Sequence, residues 1–262
     1  MKCFVYSIDK ILFFKRIEEK FAVRIFQKGF NYSQDGPGNR LVYHLQGCNL
    51  NCPWCANPEG LATLGGTVYT IEELVDEVCR SRMMFFDGGG VTLTGGEVTI
   101  QLDEAKKFLS EIHSKGVHTC IETNGVSSRL EELFPVLDYL IMDIKHYDTN
   151  IHKSVVGIGN DETVNNIRKA LAYGKELALR IPLIGGFNAT CEDAYGFCRL
   201  FDSLGVRENT TLELLPYHEY GKDKYKKLGL EYRMTESAFV TKERFDEIRK
   251  IFTDHGIKLI KT

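Results

Sequence analysis

The stretch Cys48–Cys55 reads C-N-L-N-C-P-W-C and places Cys48, Cys52 and Cys55 in a C-x3-C-x2-C spacing. It follows a candidate strand, Arg40–Leu45, so the three thiols share one loop. A structural zinc site takes four ligands, usually from two separated pairs. A [4Fe–4S] cluster held by three thiolates instead keeps one iron open for a substrate. The spacing favours the cluster and leaves open a zinc site with a distant fourth ligand.

The composition is that of an ordinary globular chain, with 262 residues of which 43% are hydrophobic and 26% charged. We expect one domain over residues 1–262, with 1–20 as a variable N-terminal edge and 21–262 as the core and C-terminal elements. The formal charge of -3 gives no case for binding nucleic acid or an anionic membrane. The N-terminal stretch lacks a signal cleavage site and no apolar run reaches spanning length. Eight cysteines without a paired pattern indicate a reducing cytoplasm.

Strand and helix patterns alternate along the chain, and repeated β–α units predict an α/β fold with a parallel sheet and helices outside it. Chemistry in such folds lies at the carboxyl ends of the strands. Strands are predicted at Phe21–Lys28, Arg40–Leu45, Val91–Thr94, Val117–Thr123, Tyr139–Lys145, Leu177–Ile184 and Thr211–Pro216. Helices are predicted at Ile71–Phe86, Asp103–Lys115, Arg129–Val136, Glu162–Tyr173, Cys191–Leu204 and Lys242–His255.

Polar or glycine-rich blocks follow several of these strands. Gly95-Gly96-Glu97 and Glu122-Thr123-Asn124-Gly125 each end a strand, although a glycine pair there is usually only a turn. Asp143 and Lys145 lie in I-M-D-I-K, where unpaired buried charge would be costly, so they form either a structural ion pair or a binding site.

Two further residues stand out near the C-terminal half. Arg180 is a cation inside the apolar run L-A-L-R-I-P-L-I, and arginine suits a carboxylate partner. His218 follows E-L-L-P-Y, and a lone histidine after a strand is more often structural. Trp54, beside the last cysteine of the motif, taken alone favours a packed core aromatic.

Together these blocks resemble the radical S-adenosylmethionine superfamily, and within it the glycyl-radical-enzyme activating enzymes of the pyruvate formate-lyase type without a ferredoxin-like insert. The matching blocks run from Asp35, in D-G-P-G, to about Gly229. The resemblance implies a partial (β/α)6 TIM-like barrel of the radical SAM type, which the six β–α units fit. It also implies that Cys48, Cys52 and Cys55 hold a [4Fe–4S] cluster whose open iron chelates S-adenosylmethionine.

The resemblance also implies a set of contacts to S-adenosylmethionine. In it Glu97 holds the ammonium, Arg180 reaches the methionyl carboxylate or a cation region, and His218 contacts the nucleoside. Glu122 stands where aspartate usually helps to bind a monovalent cation, so that cation is left open. No side chain need act as acid or base, because the 5′-deoxyadenosyl radical is the reactive group. The implied contacts are Trp54, Ala56, Gly95, Gly96, Glu97, Glu122, Thr123, Asn124, Asp143, Ile144, Lys145, Arg180 and His218.

The function implied is abstraction of a hydrogen atom from a backbone glycine of a partner enzyme, which leaves a glycyl radical, methionine and 5′-deoxyadenosine. Little chain separates Glu59 from the helix at Ile71, so there is no room for auxiliary clusters, and flavodoxin or ferredoxin is implied as the electron donor. Two alternatives stay open. One is a radical S-adenosylmethionine enzyme with a small-molecule substrate, and the other is a zinc-binding module completed by a histidine such as His44.

Overall fold

The computed structural model describes residues 21–206 and 210–261, so the edge element predicted at 1–20 lies outside the described residues. A nine-stranded sheet runs through the described chain in the order β3-β1-β2-β4-β5-β6-β7-β8-β9. Its strands are β1 (Ala22–Tyr32), β2 (Asn39–Leu45), β3 (Thr67–Thr70), β4 (Gly90–Gly95), β5 (His118–Thr123), β6 (Tyr139–Asp143), β7 (Glu176–Leu183), β8 (Thr210–Pro216) and β9 (Leu259–Ile260).

The sheet is mostly parallel. Strand β1 pairs antiparallel with both β2 and β3, whereas every neighbouring pair from β2 to β9 is parallel. The predicted α/β class with a parallel sheet is therefore confirmed. The two strands that the sequence did not indicate, β3 and β9, are short and lie at the ends of the described strand order.

Helices cover the outside of the sheet, and most begin or end at recognisable signals. Thr70 and Glu73 form a capping box at the start of the first helix. That helix ends at Arg80, short of the predicted Phe86. The helices are α1 (Ile71–Arg80), α2 (Leu102–Ser114), α3 (Thr149–Val156), α4 (Asp161–Tyr173), α5 (Cys191–Leu204), α6 (Lys222–Lys227) and α7 (Lys242–Asp254). Among the described residues, no helix is long and apolar enough to cross a membrane.

One predicted helix has a different form. Residues Leu130–Val136 form a 3₁₀ helix with Pro135 inside it. A proline in this position removes a backbone donor and clashes with the preceding turn of an α-helix. The helical prediction for Arg129–Val136 was therefore wrong about the type of helix, though not about the position of the segment.

The core lies between the sheet and the helices. On β4, Val91 and Leu93 belong to the main apolar core together with Phe108 of α2. Phe108 is fully buried and makes an edge contact with Tyr43, at 5.7 Å between ring centroids. Because successive side chains on a strand point to opposite faces, Thr94 points the other way, into the barrel interior. The carboxyl ends of the strands thus carry their polar residues on the interior side.

Candidate active site

A cavity of about 330 Å³ lies at the carboxyl ends of the parallel strands. Its size falls within the range of small-molecule sites, roughly 300–1,000 Å³. All of the predicted site residues except Glu97, Ile144 and Arg180 line it. Those that do are Cys48, Cys52, Trp54, Cys55, Ala56, Gly95, Gly96, Glu122, Thr123, Asn124, Asp143, Lys145 and His218.

The cysteine loop is held by its own backbone. Gly47 N–H donates to the Gly60 carbonyl at 2.9 Å, and Cys48 N–H donates to the Leu61 carbonyl at 3.2 Å. Within the loop, two backbone N–H groups point at sulfur: Leu50 N lies 3.5 Å from Cys48 Sγ, and Asn57 N lies 3.4 Å from Cys55 Sγ. Such donors stabilise a thiolate more than a thiol.

Burial dominates the protonation of the three thiols. It raises the pKa of Cys48 to about 11 and that of Cys52 to about 12, and it raises the pKa of Cys55 as well. The ammonium of Lys145 acts in the opposite direction on all three. Free thiols here are therefore protonated at neutral pH, and they become thiolates when a metal binds and displaces the protons.

The glycine pair is required by close packing of backbone. A Cβ on Gly95 would lie 2.3 Å from Leu45 N, and one on Gly96 would lie 2.1 Å from the Gly47 carbonyl oxygen. Gly95 also has a φ of 116°, which side chains rarely adopt. These contacts press the end of β4 against the start of the cysteine loop, so the pair is more than an ordinary turn.

Asp143 and Lys145 form an ion pair on the cavity wall, with 2.6 Å between Lys145 Nζ and Asp143 Oδ2. Burial alone lowers the pKa of Lys145, but Asp143 and the nearby thiols more than offset this, and the net shift is upward. The other carboxylate oxygen, Asp143 Oδ1, is buried and has no hydrogen-bond partner in the described parts of the chain. A residue of the cavity wall thus keeps one carboxylate oxygen that is not used within the described chain.

Arg180 lies behind the cavity wall. Its guanidinium pairs with Glu122 at 2.7 Å and with Glu213 at 2.8 Å, and it also donates to the Gln34 carbonyl. Burial by itself lowers the pKa of Arg180, but the two carboxylates raise it above its ordinary value. The second oxygen of Glu122 accepts from the Thr94 hydroxyl at 2.9 Å. In this structure the guanidinium thus forms ion pairs with carboxylates of the protein itself.

The other two residues outside the lining are also buried. Ile144 is fully buried in the main core, and its N–H donates to the Arg180 carbonyl at 2.8 Å. Glu97 is 1% exposed and bonds to Thr99, Thr123 and Asn124. Their predicted contacts with a cofactor stay predictions.

Several lining residues were not predicted as site residues. Thr94, Pro182 and Leu215 lie at or next to the last positions of β4, β7 and β8, so the rule that function sits at carboxyl ends could have found them. Leu50 and Asn57 lie within or just after the cysteine motif. Asp35, in the D-G-P-G block, and His44, the candidate fourth ligand of the zinc alternative, complete the lining.

In the described residues, no three Cys, His, Asp or Glu side chains are arranged as a finished metal-ligand set. The ligand role of the three cysteines therefore stays a prediction, supported by their shared cavity. Thiolates are the ligands that iron–sulfur clusters take, and the Lys145 ammonium beside the three cysteines favours their thiolate form. His44 lines the same cavity with a buried Nδ1 that has no hydrogen-bond partner in the described chain.

The comparison with protein families decides the membership of this chain. Residues 42–198 match the Radical SAM superfamily, and this match covers more than half of the sequence. The chain belongs to the Radical SAM superfamily. The resemblance seen in the sequence is thereby confirmed, and the superfamily implies a [4Fe–4S] cluster and S-adenosylmethionine.

Relatives within the superfamily are similar over most of their length. The pyruvate formate-lyase 1-activating enzyme of Escherichia coli (strain K12) is 32% identical over 231 residues, or 86% of this chain and 93% of that protein. The 4-hydroxyphenylacetate decarboxylase activating enzyme of Clostridioides difficile (strain CD196) is 29% identical over 290 residues, covering 85% of this chain and 90% of that protein. A crystal structure of a domain of the pyruvate-formate lyase-activating enzyme from Bacteroides vulgatus superposes with a TM-score of 0.55 at 25% identity, covering 66% of this chain and 98% of that one.

Proposed function

We propose that this chain is a glycyl-radical-enzyme activating enzyme, which uses S-adenosylmethionine and a [4Fe–4S] cluster to abstract a hydrogen atom from a backbone glycine of a partner enzyme. The observation that carries the proposal is the shared cavity of Cys48, Cys52 and Cys55 with the polar strand ends that the motifs assign to S-adenosylmethionine. Relatives named as activating enzymes for two different partners support it.

In this proposal each part of the cavity wall has a role. The three cysteines hold the cluster, and the Lys145 ammonium binds a carboxylate while Asp143 holds that ammonium in place at 2.6 Å. Trp54, which packs against Phe187 at 5.0 Å between ring centroids, and His218 flank the nucleoside. When bound, the cluster and S-adenosylmethionine supply a one-electron cleavage that yields a 5′-deoxyadenosyl radical, methionine and, after hydrogen abstraction, 5′-deoxyadenosine and a glycyl radical.

The partner, donor and compartment follow from the same proposal. The protein substrate is a glycyl-radical enzyme, and its target loop enters the cavity at the carboxyl ends of the strands. Between Cys55 and Cys79 the sequence has no cysteine, so an auxiliary cluster in that stretch lacks ligands. The electron therefore comes from an external flavodoxin or ferredoxin, in an anaerobic cytoplasm, and residues 1–262 act as one domain.

The cofactor proposal also includes a monovalent cation beside the methionyl carboxylate. Both Glu122 oxygens are engaged, by Arg180 and by Thr94. Asp143 Oδ1 is the buried oxygen that lacks a hydrogen-bond partner in the described residues and is available to such a cation. Affinity for S-adenosylmethionine measured in potassium chloride and in choline chloride at equal ionic strength tests this, since equal affinities exclude the cation.

The main experiment is electron paramagnetic resonance on anaerobically reconstituted, dithionite-reduced protein with and without S-adenosylmethionine. We expect a reduced [4Fe–4S] signal that changes shape on addition of S-adenosylmethionine, together with formation of 5′-deoxyadenosine. A doublet radical on an added glycyl-radical enzyme then identifies the partner, and turnover of a small molecule instead identifies the alternative reaction class. A cluster that ignores S-adenosylmethionine contradicts the proposal.

The zinc alternative has one observation in its favour, because His44 lines the cavity beside the three cysteines. Metal analysis of protein purified without oxygen separates the two possibilities. Iron and sulfide in equal amounts, with a brown colour, support the cluster. A colourless protein that carries one zinc ion supports the zinc module and rules out the activating reaction.

A further inference from the structure

Glu97 is buried behind the cavity wall. It is 1% exposed and is not among the residues that line the cavity, although Gly95 and Gly96 directly before it are. The resemblance implies that this acid holds the ammonium of S-adenosylmethionine. Its contacts in the structure indicate a different role.

Both carboxylate oxygens of Glu97 already accept hydrogen bonds. Oε1 accepts from Thr99 N at 3.0 Å, from the Thr99 hydroxyl at 2.7 Å and from the Thr123 hydroxyl at 2.7 Å. Oε2 accepts from Asn124 N at 2.9 Å. Each carboxylate oxygen offers about two lone-pair sites, so Oε1 is fully engaged and Oε2 keeps one site. That site belongs to a side chain that is 1% exposed and does not line the cavity, so an ammonium bound in the cavity has no access to it.

The same contacts lead to the cysteine loop. Asn124 Nδ2 donates to Asn49 Oδ1 at 2.8 Å, and Asn49 is the residue after Cys48. The backbone of Glu97 holds the other side of the loop, since Glu97 N donates to the Gly47 carbonyl at 2.7 Å. Residues 47–49 are therefore held from two sides, and Glu97 takes part in both.

We propose that Glu97 is a positioning residue, whose carboxylate fixes Thr123 and Asn124 and, through Asn49, sets the geometry of the cysteine loop. Recognition of the ammonium belongs to groups that line the cavity. The inference rests on the proposed function for its ligand, but the network itself is a property of the protein without any ligand.

The decisive experiment compares S-adenosylmethionine with its analogue that lacks the α-amino group, on wild type and Glu97→Gln. The amide puts an NH₂ group against either Thr99 N–H or Asn124 N–H, and both of these only donate. We expect calorimetry to show both ligands weakened by the same factor, about tenfold, so that the ratio of their Kd values stays as in wild type. If Glu97 binds the ammonium, S-adenosylmethionine falls to the affinity of the analogue while the analogue is unaffected, and the proposal is overturned.

A matched variant tests the route through the loop. Asn49→Ala removes the acceptor for Asn124 and leaves Glu97 intact. We expect Asn49→Ala and Glu97→Gln to shift the electron paramagnetic resonance spectrum of the ligand-free reduced cluster in the same way, with the Kd ratio unchanged in both. A wild-type spectrum in both variants overturns the positioning role. If Glu97→Gln does not accumulate as folded protein, Glu97→Asp, which keeps the charge, is measured in its place.

Failure of the proposed function is recognised separately. A wild-type cluster that does not respond to S-adenosylmethionine contradicts the activating reaction, and the network is then tested on cluster-free protein. There we expect the losses in Tm of Glu97→Gln and Asn49→Ala to be non-additive in the double variant, as for residues in one hydrogen-bond network. Additive losses overturn the coupling.

Discussion

Two sets of buried polar groups inside the barrel differ in how completely their hydrogen-bonding capacity is used within the protein. The cavity wall consists of Cys48, Cys52, Cys55, Asp143 and Lys145, and the support layer consists of Arg40, Glu97 and Arg180. On the cavity wall, Asp143 Oδ1 has no hydrogen-bond partner in the described chain. In the support layer, Glu97 accepts four hydrogen bonds and Arg180 faces two carboxylates. The cavity wall therefore keeps an acceptor for a ligand, whereas the hydrogen bonds and ion pairs of the support layer are made within the protein.

The two arginines of the support layer are stabilised in different ways. Arg180 is paired with acids, whereas Arg40, fully buried, bonds to neutral acceptors: Thr92 at 2.6 Å, the Val91 carbonyl at 2.6 Å and His118 Nδ1 at 3.2 Å. Burial lowers the pKa of Arg40 and is only partly offset by more distant groups. Buried charge is costly unless it is paired or fully hydrogen-bonded. Arg180 is stabilised by ion pairs, and Arg40 is stabilised by hydrogen bonds to neutral acceptors.

The largest effect is expected on the cavity wall. Cys52→Ala removes one of three proposed cluster ligands, so we expect loss of bound iron and sulfide, of the visible absorption band, and of activation. Cys79→Ala, on the exposed face of α1, is the matched control and should leave all three unchanged. A Cys52→Ala protein with wild-type iron content would show that the ligand assignment is wrong.

The support layer should respond in stability. Arg180→Met removes the cation that faces Glu122 and Glu213, and breaking a buried pair in this way costs about 3–5 kcal/mol. Arg199→Met, which removes an exposed arginine 3.2 Å from Glu192, should cost less than about 1 kcal/mol. Chemical denaturation measures the loss of unfolding free energy in both variants. Equal losses would mean that the buried ion pairs of Arg180 stabilise the protein no more than the exposed pair of Arg199 does.

Lys145 tests whether the cavity wall binds rather than supports. Lys145→Met should weaken S-adenosylmethionine binding about tenfold or more, because a charge-assisted hydrogen bond to its carboxylate is lost. Its cost in stability should be smaller than that of Arg180→Met, because it removes a cation from one carboxylate, whereas Arg180→Met removes a cation from two, of which the Glu213 side chain is only 4% exposed. Titration of the reduced cluster measures the Kd, with Lys106→Met, a half-buried lysine on α2 outside the cavity, as the control. An unchanged Kd in Lys145→Met would mean that Lys145 has a supporting role and does not bind S-adenosylmethionine.

Much of the fold follows from the sequence because periodicity reports burial directly. The strands β2 and β4 to β8 were found, since each is an apolar run with a polar end. The errors have local causes: Pro135 forces a 3₁₀ helix where the pattern predicts an α-helix, and β9 has only two residues, too few for a periodic signal.

The motifs locate the candidate site, but they do not show which of its residues line the cavity and which are buried behind the cavity wall. Glu97 and Lys145 both stand at strand ends and have the same pattern in sequence, yet Glu97 is buried behind the wall with its hydrogen bonds inside the protein, and Lys145 lines the cavity. Whether a residue is held behind the wall depends on which hydrogen-bond donors the neighbouring strands supply. Asn124 contacts Glu97 only because β4 and β5 are adjacent in the sheet. Such pairings lie 27 residues apart in sequence and leave no local pattern.

The smallest effect expected is a pH dependence that arises in the support layer. Burial, and then the charge of Arg40, lower the pKa of His118. At this position the unfolded chain therefore binds a proton more readily than the folded chain does. The neutral His118 imidazole contributes to stability above the ordinary histidine pKa of about 6.5, and this contribution is lost as the pH falls below that value. Protonation also removes the Nδ1 acceptor that Arg40 faces at 3.2 Å.

His118→Asn places an amide oxygen close to the position of Nδ1 and cannot titrate in this range. We expect it to reduce the loss of unfolding free energy between about pH 7.5 and about pH 5.5, measured by denaturation at both values. The reduction should be partial, because burial also lowers the pKa of His44, His146 and His152. An unchanged slope in His118→Asn would mean that Arg40 does not depend on a neutral imidazole, and that carbonyl and hydroxyl acceptors alone suffice to hold this guanidinium.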